Sequence, residues 1–256
     1  MKIRTTFLII FPIIVALGIS AYFLWLHFKS LTTFPMQPVT FDTTDGVTIA
    51  GDYAAPKTPI GAVLLLPMMP ATKESWYNLQ QALGRAHIAS LAIDLRGHGQ
   101  STQGPAGIRL DYHTFTDTEH QLTKNDVTAG IEFLTNHSFT KNHISIIGAS
   151  IGANFAIQQL AQDPEINSAV LLSPGLDFHG IETEQYSRSL SQNQALYTIA
   201  SRDDQYSFDS SRTLFNATTV KKDIGEYDTI GHGTAMLENN PELMDAITQW
   251  IIARFQ

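Results

Sequence analysis

The twelve residues His143-Ile144-Ser145-Ile146-Ile147-Gly148-Ala149-Ser150-Ile151-Gly152-Ala153-Asn154 hold an apolar run that breaks into Gly-x-Ser-x-Gly and passes straight into a helical pattern. Residues 144–147 read as a strand and 151–161 as a helix. A turn that leaves a strand and enters a helix within one residue forces the serine into a strained backbone conformation. It also brings positions 148 and 152 so near to neighbouring elements that side chains there would clash. The Ser150 hydroxyl is thereby lifted to the N-terminus of a helix, whose dipole and free N–H groups favour a developing negative charge. Five letters alone are weak evidence. The strand before them and the helix after them make Ser150 a candidate nucleophile rather than a capping serine.

Outward from this turn, apolar runs and helical patterns alternate. Strands are expected over 62–66, 88–93, 169–172, 196–200 and, more weakly, 220–227; helices over 73–86, about 116–134, 208–215 and 241–254. Before them, 39–42 and 47–53 flank Thr43-Thr44-Asp45-Gly46, where Asp-Gly between two β-rich runs signals a hairpin. The continuous apolar run at 62–66 is the form of a strand buried on both faces of a parallel sheet. The expectation is an α/β fold, with a mostly parallel central sheet of about eight strands flanked by helices. Ligands on such sheets bind beyond the carboxyl ends of the strands.

Composition sets the limits. The chain has 256 residues, is 43% hydrophobic and 16% charged, and carries a net charge of -8 from 16 Lys+Arg and 24 Asp+Glu. That is too apolar for a disordered chain, and its acidic balance, without a basic cluster, argues against nucleic acid as a partner. The absence of cysteine excludes disulfides, thiolate metal sites and a cysteine nucleophile.

From Phe7 to Phe28 the sequence runs 22 residues without a formal charge, His27 being taken as neutral. As a helix this run spans roughly 33 Å, enough to cross a bilayer. Lys2 and Arg4 precede it and only Lys29 follows closely, so the positive-inside bias keeps the N-terminus cytoplasmic and puts the rest of the chain outside. Tyr22 and Trp25 suit an interfacial aromatic belt. A cleaved signal peptide is the competing reading, but its apolar region is normally about 7 to 15 residues. The expected organisation is a transmembrane anchor or signal segment at 1–29, a linker at 30–38 and a folded domain at 39–256.

A serine needs a base, and a neutral imidazole is the side chain best matched to take its proton near pH 7. Nine histidines compete. His113, His120, His137, His143 and His179 sit among polar neighbours and read as solvated surface. His232 differs, because Ile230-Gly231-His232-Gly233 follows the last strand and two glycines leave the ring room to reach across a cleft. The third member is a carboxylate that orients the imidazole. Asp203 and Asp204, just past the strand at 196–200, are both candidates, with Asp204 preferred.

With Ser150, Asp204 and His232 in that chain order, the sequence resembles the α/β-hydrolase superfamily from about residue 39 onward. Asp94-Leu95-Arg96-Gly97-His98-Gly99-Gln100-Ser101 is similar to that superfamily's loop after the fourth strand, which makes His98 a packing residue. The resemblance favours Asp204, which is followed by Gln205 and the bulky Tyr206. Where the family often has His-Gly after the third strand, this chain has Pro67-Met68-Met69-Pro70. The resemblance implies an oxyanion hole from the backbone N–H of Ile151 and one N–H of this loop, Met69 by position, with Met68 as the other choice.

The implied activity is that of a capless serine hydrolase similar to dienelactone hydrolases and carboxylesterases. It would act on small to medium esters and need neither metal nor organic cofactor. A peptidase or amide hydrolase of the same fold, and a non-catalytic membrane-anchored binding scaffold, are the other readings. Only residues 173–194 separate the sixth strand from the seventh, too few for a full cap domain.

Overall fold

The computed structural model describes residues 33–256, whose compact unit runs Met36–Gln256. The segment read as a membrane helix or signal, 1–29, lies outside the described residues, among which no helix is long and apolar enough to cross a membrane.

The strands are β1 (Gln37–Asp42), β2 (Thr48–Ala54), β3 (Gly61–Leu66), β4 (Ile88–Ile93), β5 (Ile144–Ala149), β6 (Ser168–Leu172), β7 (Asp177–Phe178), β8 (Ile181–Glu182), β9 (Ala195–Ser201) and β10 (Lys221–Tyr227). The helices are α1 (Tyr77–Arg85), α2 (Asp117–Gln121), α3 (Lys124–Asn136), α4 (Ile151–Gln162), α5 (Glu184–Arg188), α6 (Gln205–Ala217), α7 (Ala235–Asn239) and α8 (Glu242–Phe255). Eight strands form one sheet in the order β1-β2-β4-β3-β5-β6-β9-β10, and β7 with β8 makes a separate small hairpin. The β1–β2 and β2–β4 pairs are antiparallel and every pair from β4 to β10 is parallel.

Every residue of β3, β4, β5 and β6 is buried, as helices on both faces demand of central parallel strands. Their side chains divide by parity. Leu64, Leu66 and Ile146 face one core with Val127, Ile131 and Leu134 of α3 and Phe155 and Leu160 of α4. Val63, Leu65 and Ile147 face the other, with Leu79 and Leu83 of α1 and Leu243, Ile247 and Ile251 of α8.

The helix expected over about 116–134 is two helices. A capping box at Thr116 and Glu119 starts α2, and α3 then begins after Thr123, whose side chain makes no capping bond. The helix expected from residue 73 begins as a 3-10 turn, Lys73–Trp76, before α1.

A buried ionic network fastens the loop after β4. The Arg96 guanidinium donates through Nε to Asp126 Oδ1 at 2.9 Å and through both Nη atoms to Asp45 at 2.8 and 3.0 Å, while the Arg96 amide donates to Asp126 Oδ2 at 2.8 Å. Arg96 holds the Asp45 carboxyl well below the usual carboxylate range. Asp126 on α3 is fully buried, so its removal would leave the Arg96 charge short of a partner that water cannot replace. Asp126→Ala should cost about 3–5 kcal/mol. Asp45→Ala, at a side chain about one-third exposed (32%), should cost about 1 kcal/mol. Urea unfolding with unchanged m-values checks both, and equal losses would contradict the burial argument.

Candidate functional site

Ser150 sits between β5 and α4 with φ 52° and ψ -120°, in the left-handed half of backbone space that serine rarely enters. Two close approaches require the glycines beside it. A Cβ on Gly148 would overlap the carbonyl of Gly152, and one on Gly152 would overlap the carbonyls of Leu66 and Pro67 at the end of β3. The Ser150 amide donates to the Leu172 carbonyl of β6 at 2.8 Å. The turn is thus wedged between the ends of two neighbouring strands, with the half-buried Ser150 at the head of α4.

As the first residue of α4, Ile151 has an N–H with no intrahelical acceptor. Neither it nor the N–H of Met69 donates to an acceptor among the described residues. Contact of Gly152 with Leu66 and Pro67 brings the start of α4 beside the Pro67-Met68-Met69-Pro70 loop. That loop is tied at its far end. The buried Asp94 carboxylate accepts the amides of Lys73 and Gln100, each at 2.8 Å, and so joins the loop after β3 to the loop after β4.

The structure distinguishes the two adjacent aspartates. Asp204 Oδ2 lies 2.6 Å from His232 Nδ1. A carboxylate can only accept, so in the neutral ring the proton sits on Nδ1 and the Nε2 lone pair is left for another donor. Asp204 also caps α6, accepting from the Ser207 amide at 3.4 Å. Asp203 is exposed and turns instead to the Gly231 amide, at 3.2 and 3.3 Å.

The loop carrying His232 is held at further points. Ser201 Oγ accepts the Ile230 amide at 3.0 Å and Asn239 Nδ2 donates to the Ile230 carbonyl at 3.1 Å. Gly233 lies against the Met68 side chain, which places the His232 loop beside the loop after β3. Ser150, Asp204 and His232 therefore follow β5, β9 and β10 at one end of the sheet. Asp204 and His232 are bonded directly, whereas no hydrogen bond joins the Ser150 hydroxyl to the imidazole. Among the described residues no cluster of three or more histidine, aspartate or glutamate side chains is arranged to hold a metal ion.

Two findings were not anticipated from sequence. Asn154, one turn after Ser150 and fully buried, donates to the Ile181 carbonyl at 3.1 Å and accepts the Gly175 amide at 3.0 Å. It holds the segment between β6 and α5 against α4, and its signal in the sequence is a single amide within the otherwise apolar stretch 151–157. His120, expected at the solvated surface, is instead buried. The β7–β8 hairpin returns over α2, so the His179 ring stacks on His120 at 3.9 Å and Gln121 Nε2 donates to the His179 carbonyl at 2.9 Å. Burial keeps the His120 pKa below its ordinary value, and the neighbouring His179 and His98 act in the same direction. His98 is buried and stacks on Tyr112 at 3.8 Å, a packing role.

No curated protein matches the chain in sequence. Among solved structures, an esterase from Pyrococcus furiosus superposes with a TM-score of 0.70 at 19% identity, over 89% of this chain and 94% of that one. A dienelactone hydrolase from Anabaena variabilis gives a TM-score of 0.64 at 17% identity, over 86% and 97%. An acylaminoacyl peptidase from Pyrococcus horikoshii gives 0.70 at 14% identity, over 88% of this chain and 42% of that longer one. Likeness at these identities concerns the fold. The family model described as alpha/beta hydrolase fold matches residues 61–222, well over half of the sequence, and the chain belongs to that family.

Proposed function

We propose that the chain is a serine hydrolase that cleaves carboxylic esters of small to medium acyl groups. The observation that carries this reading is the 2.6 Å bond from His232 Nδ1 to Asp204, on a loop at the same end of the sheet as the strained Ser150 turn.

In the proposed cycle Ser150 Oγ attacks the ester carbonyl carbon while its proton passes to His232 Nε2. Asp204 accepts from Nδ1–H throughout and stabilises the imidazolium. The carbonyl oxygen, now an oxyanion, is met by the N–H groups of Ile151 and Met69, neither of which donates to an acceptor among the described residues. Collapse of the tetrahedral intermediate breaks the bond to the leaving oxygen, which takes the proton from His232 and departs as an alcohol. Water then attacks the acyl enzyme, giving its proton to His232, and the acid is released with Ser150 restored. Half-buried Met68 and Met69 supply an apolar wall for the acyl chain.

The uncharged run from Phe7 to Phe28, with Lys2 and Arg4 before it, supports an N-terminal membrane anchor that keeps the N-terminus cytoplasmic and the catalytic domain outside.

The test is hydrolysis of p-nitrophenyl esters from acetate to palmitate by the full chain in detergent, with fluorophosphonate labelling alongside. Turnover highest at short and medium chains, with labelling, is the expected result. A folded protein that neither turns over any ester nor labels would be a binding scaffold. Turnover confined to peptide or acylamino amides would make it a peptidase of the same fold.

A further inference from the structure

On the serine-hydrolase reading, we propose that Ser173 is a positioning residue for the general base, its buried hydroxyl fixing the loop that carries His232. Ser173 follows β6, the sheet neighbour of both β5 and β9. It is fully buried and has φ 51°, a conformation that persists in a non-glycine residue only when its surroundings impose it. Its amide donates to the Ile199 carbonyl at 2.8 Å, which fixes the backbone at the end of the sheet. Its hydroxyl is used in both directions. Oγ accepts the amide of Gly233, the residue directly after His232, at 2.9 Å, and donates to the buried Met236 Sδ at 3.3 Å.

The loop needs such a tether. Gly231 and Gly233 flank the imidazole with φ 85° and 57°, and glycine on both sides leaves the His232 backbone many alternative conformations. Asp204 restrains the ring through Nδ1; of the backbone around it, Ile230 is tied by Ser201 and Asn239 and the His232 carbonyl accepts the Ala235 amide at 3.2 Å. Asp203 restrains Gly231 from the exposed side, where water can take its place. Ser173 restrains Gly233 from the buried side, and the Met68 side chain occupies the space where a Cβ on the same residue would point. Nε2 must take the Ser150 proton and then deliver it to the leaving group. A displacement of about 1 Å in such a group can cost about 100-fold in rate.

The experiment compares Ser173→Ala and Ser173→Gly with wild type as full chains in detergent, using p-nitrophenyl butyrate turnover and fluorophosphonate titration. Glycine removes the hydroxyl and also relieves the positive φ, so at least one variant is expected to fold. Expected is a fall in kcat of about 10- to 100-fold per titrated serine, with KM within about twofold and an undiminished titratable fraction. In a His232→Ala background, Ser173→Ala should leave the residual labelling rate unchanged, because the group it positions is gone. A kcat within twofold of wild type overturns the assignment. So does a loss confined to the titratable fraction, or equal slowing in the His232→Ala background. A wild-type chain that neither turns over nor labels removes the hydrolase reading itself, and this role with it.

Discussion

Replacing Ser150 by alanine should reduce ester turnover by at least about 10,000-fold, to the level of the unassisted active-site surface, and abolish fluorophosphonate labelling. The loss follows from chemistry rather than folding. The Ser150 hydroxyl makes no hydrogen bond among the described residues, and its side chain is half-buried at the mouth of the turn, so its removal empties no packed core. Alanine keeps the backbone at φ 52°, with a Cβ that resists it. Glycine accepts that conformation. Ser150→Gly should therefore be as inactive as Ser150→Ala yet more stable by about 1–2 kcal/mol, the strain stored at such a residue. Urea unfolding of the two variants measures the difference directly. Substantial turnover in Ser150→Ala would place the nucleophile elsewhere, and equal stabilities would mean the turn stores no strain.

Much of this arrangement is legible in the sequence because it rests on local constraints. Central parallel strands buried on both faces must be continuously apolar, and β3, β5 and β6 were found within two residues of their expected bounds for that reason. The Ser150 turn was legible because its two glycines answer to backbone overlaps that any other residue would meet. What escaped depends on contacts between distant residues. His120 has polar neighbours in the chain, but the β7–β8 hairpin covers it from almost 60 residues away, and nothing near His120 announces this. The division of the helix between α2 and α3 was hidden for a different reason. Both pieces share a helical period, and a cap at Thr123 without a side-chain bond leaves little trace in composition. Asp203 and Asp204 lie side by side after one strand, and the sequence favours Asp204 without excluding Asp203, because the imidazole that decides between them lies 28 residues further along the chain.

That last ambiguity leads to the second large effect. Asp204→Asn should lower kcat by about 1,000- to 10,000-fold with little change in KM, whereas Asp203→Asn should stay within a few-fold of wild type. The carboxylate of Asp204 only accepts, which keeps the His232 proton on Nδ1 and the lone pair on Nε2. An asparagine can present its NH2 instead, which stabilises the opposite tautomer and turns an N–H toward Ser150, so the base is lost without loss of packing. Asparagine caps helices about as well as aspartate, so the start of α6 should hold and the stability change should be within about 0.5 kcal/mol. At Asp203 the amide oxygen of asparagine can still accept the Gly231 N–H, a long bond of 3.2–3.3 Å at an exposed position where water competes. The pair is therefore a controlled comparison: same substitution, adjacent positions, the same loop contacted. If Asp203→Asn proved the more damaging, the 2.6 Å bond would be a structural tie, and the path from carboxylate to imidazole would have to run through the backbone of Gly231.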